Sequence, residues 1–274
     1  MRSLQIHVDD QLARGRAYFA KAEALKATGQ SSAAFTAAAS RMISKQWLAN
    51  PKRGFYLIVR PEDRSAGAPD SARWIDPLMR HLRVDYRISL LRAAAFHGAS
   101  HQAALVVQVV VPKQIRPIVI GRQRIHFIYQ APDVFAKTNR DRWLAQLKTD
   151  AGFARVAGIE LLLLDAVRYF NHAAGLNGAA QIVHDLGANA SPRELAHLAA
   201  LYENSTVRRL GYLLEHFGHR RQAAALRPFA STAKSMKPLD PSARRIVALG
   251  SGARKSNESV NWKLHLNTPV EIDA

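Results

Sequence analysis

The chain has no cysteine. Disulfides, thiolate-bound metals and cysteine nucleophiles are therefore excluded, and the composition fits a reducing, cytoplasmic setting. Acidic residues are scarce, with 21 Asp and Glu against 39 Lys and Arg. A metal-dependent nuclease needs clustered carboxylates, which this chain is poorly equipped to supply. No apolar run approaches the roughly 18 residues of a membrane-spanning helix. The apolar residues near the start are interrupted by Asp9, Asp10, Arg14 and Arg16, so neither a signal peptide nor a membrane partner is expected. There is no phosphate-binding loop, no dinucleotide glycine fingerprint and no nucleophile elbow. His97 and His101 have helical spacing, but Gly98 interrupts them and no acid stands at zinc spacing nearby. Neither a metal nor a cofactor is expected. Asp165 lies in an apolar helix, where a carboxylate bonded to a backbone group or an arginine is expected rather than a catalytic one. Glu160 and Asp165 do not share a helical face. No enzyme is expected.

What is abundant is positive charge, a formal +18 with a pI near 10.8. Such an excess repels itself in a compact state, and a polyanion relieves it. Nucleic acid is the obvious candidate, because neutralised phosphates release condensed counterions. The competing reading is compositional: arginine and alanine are overused in some genomes. The length of 274 residues makes two domains the default.

Residues 1–60 read as one small unit. Leu4, Val8 and Leu12 step by four through a first helix ending near Arg14. Tyr18 and Phe19 form a short extended piece after Gly15. A second helix runs from Lys21 to Ala27 and is closed by Gly29. Ser31 or Ser32 caps a third helix reaching about Lys45, with Phe35, Ala39, Met42 and Ile43 as its apolar stripe. Trp47 to Val59 reads as a hairpin turning at Asn50-Pro51 and Gly54. This order predicts a winged helix-turn-helix, in which the third helix enters the major groove and the hairpin reaches the flanking backbone. The face opposite the stripe is slim: Ser31, Ser32, Ala33, Thr36, Ala37, Ser40, Arg41 and Lys45 are the candidate DNA contacts there. Arg41 is suited to a guanine edge and the hydroxyls to either base type. Lys52 and Arg53 at the wing tip suit phosphate. A hairpin-bearing three-helix unit also serves protein contact in other settings, and a slim alanine-rich face can pack on another helix.

Arg60 to Ser71 is rich in Pro, Gly, Ser and charge, which predicts a mobile linker between domains at 1–63 and 72–274. Beyond it the pattern predicts helices over 74–82 and 89–97 and strands over 105–111, 115–120, 124–130 and 153–157. An apolar helix over 159–172 comes next, then helices over 179–186, 192–203 and 206–217. A final strand is expected over 262–266. Residues 219–259 lose periodicity. Their Arg220, Arg221, Lys234, Lys237, Arg244 and Arg245 are a candidate second DNA contact, against the simpler reading of a solvated surface. Arg208 and Arg209 read as surface residues. The fold class is α+β: an N-terminal winged helix-turn-helix, then a larger α/β domain with a mixed or antiparallel sheet and a helical bundle.

Taken in order, several segments resemble one family. They are GFYLIV (Gly54–Val59), DYRISLLRAAAFHG (Asp85–Gly98), VVVPKQIRPIVIGRQRIHFIY (Val109–Tyr129), IELLLLDAVRYFNHAAGLNG (Ile159–Gly178), YENSTVRRLGYLLEHFG (Tyr202–Gly218) and NWKLHLN (Asn261–Asn267). The chain resembles the AbiEi antitoxins of type IV toxin–antitoxin (abortive infection) systems over nearly its full length. The resemblance implies operator binding through the winged helix and repression of its own operon. It also implies a second domain that counters a nucleotidyltransferase-like toxin, with or without touching it. Two rivals stand beside it. One is a winged-helix regulator whose second domain senses a small ligand, and the other is an accessory protein of DNA modification or restriction.

Overall fold

The computed structural model describes residues 3–99, 106–149, 152–243 and 258–272. The fold is mixed α+β, with eleven α-helices and three sheets among these residues. The chain divides into two compact units. One takes Met1–Ile88, Ala104–Pro132 and Gln146–Val156; the other takes Ser89–Ala103, Asp133–Ala145 and Ala157–Ala274.

The first unit begins with α1 (Leu4–Ala13), whose N-cap Ser3 accepts from the Ile6 amide. β1 (Tyr18–Ala20) and α2 (Lys21–Thr28) follow, and Gly29 at φ 68° ends α2 in the left-handed conformation that glycine adopts without strain. Ser31 caps α3 (Ser32–Ser44) by accepting from the Ala34 amide. The hairpin of β2 (Leu48–Lys52) and β3 (Phe55–Ile58) pairs with β1 in the order β1-β3-β2. Leu4, Val8, Phe19, Phe35, Ala39, Met42, Leu48 and Ile58 form one buried cluster, with Phe19 stacked on Tyr56 and Phe35 edge-on to it. Ile43, expected in the stripe, is 39% exposed instead. At about 100° per residue it lies roughly 80° round the helix from Phe35, beyond the seam that Phe35, Ala39 and Met42 define.

His7 is 5% exposed in this cluster, edge-on to Phe19, and its Nε2 is buried without a hydrogen bond. Burial holds its pKa below the ordinary histidine value. The unfolded chain therefore binds this proton more readily than the folded one. Stability is full above about pH 6.5 and is lost as pH falls through the folded pKa. Melting should thus drop more between pH 7.5 and 5.5 in the parent than in His7→Leu. Equal drops would remove His7 from the account.

The segment expected to be a mobile linker is instead tied down. Ala68 and Ser71 are 1% and 2% exposed. The Ala66 carbonyl accepts from the Arg122 amide, and Gln123 Nε2 donates to the carbonyls of Ala68 and Pro69. Gly67 and Gly121 make this possible, since a Cβ on either would collide with the other's backbone. The compact units accordingly differ from the 63/72 boundary drawn from composition. After α4 (Ile75–Leu82) the unit contributes to a six-stranded sheet. Its strands are β4 (Arg87–Ser89), β5 (Val106–Val111), β6 (Ile118–Ile120), β7 (Gln123–Tyr129), β8 (Leu144–Thr149) and β9 (Gly152–Ala157), in the order β6-β7-β5-β4-β9-β8. The sheet is mixed: β5 and β7 are parallel, as are β4 and β9, and β6 turns back antiparallel on β7.

The second unit holds α5 (Leu90–Phe96), α6 (Pro132–Thr138, from its second residue), α7 (Ile159–Arg168), α8 (Gly175–Leu186), α9 (Pro192–Ala199), α10 (Asn204–His216) and α11 (Arg220–Ser231). The small sheet of β10 (Lys237–Pro238), β11 (Glu258–Ser259) and β12 (Leu264–His265) completes it. Neither α6 nor β8 was expected from the pattern. α11 falls where periodicity was lost, because its buried face is mostly Gln222, Ala223 and Ala230, with Leu226 the one large apolar residue. Arg208 and Arg209 are buried, not on the surface. Arg208 Nη1 donates to the carbonyls of Ser235 and Lys263, and Arg209 Nε donates to that of Pro238. They fasten the chain around β10 and β12 to α10, and burial lowers both pKa values. Asp165 is fully buried and accepts hydrogen bonds from the hydroxyls of Ser89 and Tyr202 at 2.9 and 2.7 Å.

Candidate nucleic-acid interface

α3 presents its predicted face to solvent: Ser31, Ser32, Ala33, Thr36, Ala37, Ser40, Arg41 and Lys45 are all exposed. The reason is local. Phe35, Ala39 and Met42 bury one stripe, so the residues between them point outward. Thr36 and Ser44 donate their hydroxyls to the carbonyls of Ser32 and Ser40, leaving the oxygens as acceptors. Lys45 lies over the Trp47 ring at 5.1 Å.

Lys21, not among the sequence candidates, belongs to this face. Its Nζ donates to Ser32 Oγ at 2.9 Å and Thr36 Oγ1 at 3.2 Å, and stands over the Phe35 ring. It sits on the preceding helix, and only the turn between α2 and α3 brings it there, so no spacing on α3 itself could have found it.

The wing is braced. Asn50 Nδ2 donates to the carbonyls of Lys52 and Phe55, closing the tip from inside. The Gly54 carbonyl accepts from the Lys21 amide, and the Arg53 carbonyl lies 3.2 Å from His81 Nε2. Arg53 is exposed. Lys52 is only half-exposed, with its Nζ 3.4 Å from the Arg116 carbonyl. It is therefore not the free tip cation that its position in the sequence suggested.

The candidate second contact lies in the other compact unit. Arg220 and Arg221 open α11, and they are exposed, as are Lys234 and Lys237. Arg244 and Arg245 lie outside the described residues, as does His101.

A cleft of about 360 Å³ in the first unit is lined by Asp76, Arg80, Arg83, Asp85, Tyr86 and Arg155 among others. Arg80 pairs with Asp76 at 2.7 Å, and Arg155 with Asp85 at 2.5 Å. Tyr86 donates to Asp76, and burial, reinforced by that carboxylate, raises its pKa. These acids are engaged in ion pairs, an arrangement for holding structure rather than exchanging protons. Among the described residues no group of three His, Asp or Glu side chains can hold a metal ion. No helix there is long and apolar enough to cross a membrane.

No curated protein matches this chain. Among solved structures, the RV2827C protein from Mycobacterium tuberculosis matches with a TM-score of 0.61 and 19% identity, over 94% of this chain and 88% of that one. At that identity the likeness concerns the fold alone. The family model described as the AbiEi antitoxin C-terminal domain matches residues 87–216. That span takes in β4, the sheet and the helices through α10, so it is residues 87–216 of the chain that are similar to the AbiEi antitoxin C-terminal domain.

Proposed function

We propose that the chain is a cytoplasmic, non-catalytic antitoxin of a type IV toxin–antitoxin system. It binds its operator as duplex DNA, represses its own operon and counters a nucleotidyltransferase-like toxin. Residues 1–63 carry the winged helix-turn-helix that reads the operator, and the antitoxin role lies within residues 72–274. The match of residues 87–216 to the AbiEi antitoxin C-terminal domain supports the antitoxin role. The observation that carries DNA binding is the solvent-facing side of α3. It is built of small and hydroxylated residues with Arg41, Lys45 and Lys21, and it is followed by a braced hairpin. A helix must be slim on its outer face to lie deep in a major groove. The ligand-sensing alternative has the cleft beside Tyr86, whose carboxylates are held in ion pairs.

Binding of the intact protein to the duplex upstream of its own gene should weaken steeply with salt. If about 6 phosphates are neutralised, the log–log slope is about −5. Arg41→Ala should lose about 1–3 kcal/mol, concentrated at one base position, if the guanidinium is bidentate to guanine. A flat salt response in fluorescence anisotropy would remove the DNA-binding reading. A flat response to Arg41→Ala alone would move base reading elsewhere on α3.

A further inference from the structure

We propose that the DNA-binding wing is composite: the loop between β5 and β6 (residues 112–117), seated beside the hairpin tip, continues its cationic row and contacts the DNA phosphates flanking the site that α3 reads. This rests on the operator-binding reading above and extends its footprint to residues far from the N-terminal segment in sequence.

Three observations meet here, all within the first compact unit. The Lys52 Nζ donates to the Arg116 carbonyl, which places that loop against the wing. His81, at the end of α4, packs its ring on Phe55 at 5.4 Å and bonds the Arg53 carbonyl, so the tip is held from the other side. Lys113, Arg116 and Arg53 are exposed. None of them, nor Lys52, has an ion-pair partner among the described residues, whereas Arg80 and Arg155 in the same unit are paired.

Lys52 spends its ammonium on holding the loop, and Arg116 replaces it as an outward cation. Exposed cations without ion-pair partners on adjoining loops repel one another, and the fold tolerates this cost where an anion is to be received. Pro112 and Pro117 bracket the loop and restrict its backbone. Less freedom is then lost on binding than a floppy wing would lose. Phosphate is the target rather than a base edge, because long cations on a braced loop meet the backbone, which carries no sequence information directly.

The test compares the intact protein with Lys113→Gln/Arg116→Gln on operator and unrelated duplexes across a salt series. Both side chains are exposed, so the melting temperature should hold. The expected result is a weakening of about tenfold at moderate salt on both duplexes, with the slope less negative by about 2. Lys113→Arg/Arg116→Lys should restore binding. Parent-like affinity and slope in the glutamine variant would overturn the composite wing while leaving operator binding by α3 intact. Selective loss on the operator alone would overturn the phosphate role. Failure of the parent itself to bind would bring down the operator reading and this proposal together. If the glutamine variant melts early, hydroxyl-radical footprinting of the arginine–lysine swap decides. Protection of the flanking phosphates supports the loop contact, and protection confined to the α3 site refutes it.

Discussion

Gly211→Ala should destabilise the protein, although the same change in an exposed helix interior normally stabilises by about 0.5–1 kcal/mol. Gly211 sits in α10 under the ring of Trp262, and a Cβ there would fall inside the van der Waals radii of three ring carbons. Trp262 is fully buried, its Nε1 donates to Glu215 Oε2, and Arg227 lies over its face at 4.9 Å. The ring therefore has no vacant direction in which to retreat. Overpacking costs about 1–3 kcal/mol, and expelling the ring forfeits its burial as well. A net loss of about 3 kcal/mol is expected, or a melting temperature lower by roughly 5–10 °C. Trp262 fluorescence should shift red with the variant if the ring is displaced. The same or a higher melting temperature would mean that Trp262 can slide along α10, and that the close approach carries little stability.

Thr36→Glu with Ser40→Glu should abolish operator binding and leave melting unchanged. Both side chains are exposed on α3, and glutamate is at least as good a helix former as threonine or serine. In the groove, however, two carboxylates would face the polyanion from the helix's slim side and would attract Arg41, Lys45 and Lys21 inward. Like charges at an interface cost several kcal/mol, so a loss of at least about 100-fold is expected. Gel shift and thermal melt read the two effects separately. Binding within about twofold of the parent would show that this face does not meet DNA. In a strain supplied with the toxin that the proposed function requires, the same variant tests the division of labour. Growth rescue should persist while repression fails.

The sequence by itself determined the local order of the N-terminal segment: three helices, an intervening strand and a hairpin, with the outward face of α3 named residue by residue. That was legible because each signal is local. Ser31 caps, Gly29 closes, and the stripe of Phe35, Ala39 and Met42 fixes which residues remain outside. The apolar run at Leu161–Leu164 likewise announced a buried helix. The likeness to the AbiEi antitoxins was also legible, and the family model matches it over residues 87–216, which hold the segments from Val109 to Tyr129 and from Ile159 to Gly178.

Only the tertiary structure decided the environment of each charge. Arg208 and Arg209 read as surface residues because nothing within α10 shows that the backbone of residues 235–238 will cover them. Lys21 joined the α3 face, and Lys52 turned toward Arg116, through contacts spanning 11 to 64 residues of sequence. The strap over 60–71 looked like a linker by composition, yet its glycine is what allows the backbone at 121 to reach it. Periodicity reports which side of an element is buried. It does not report what lies against that side, because partners distant in the chain are brought together only when the whole fold forms.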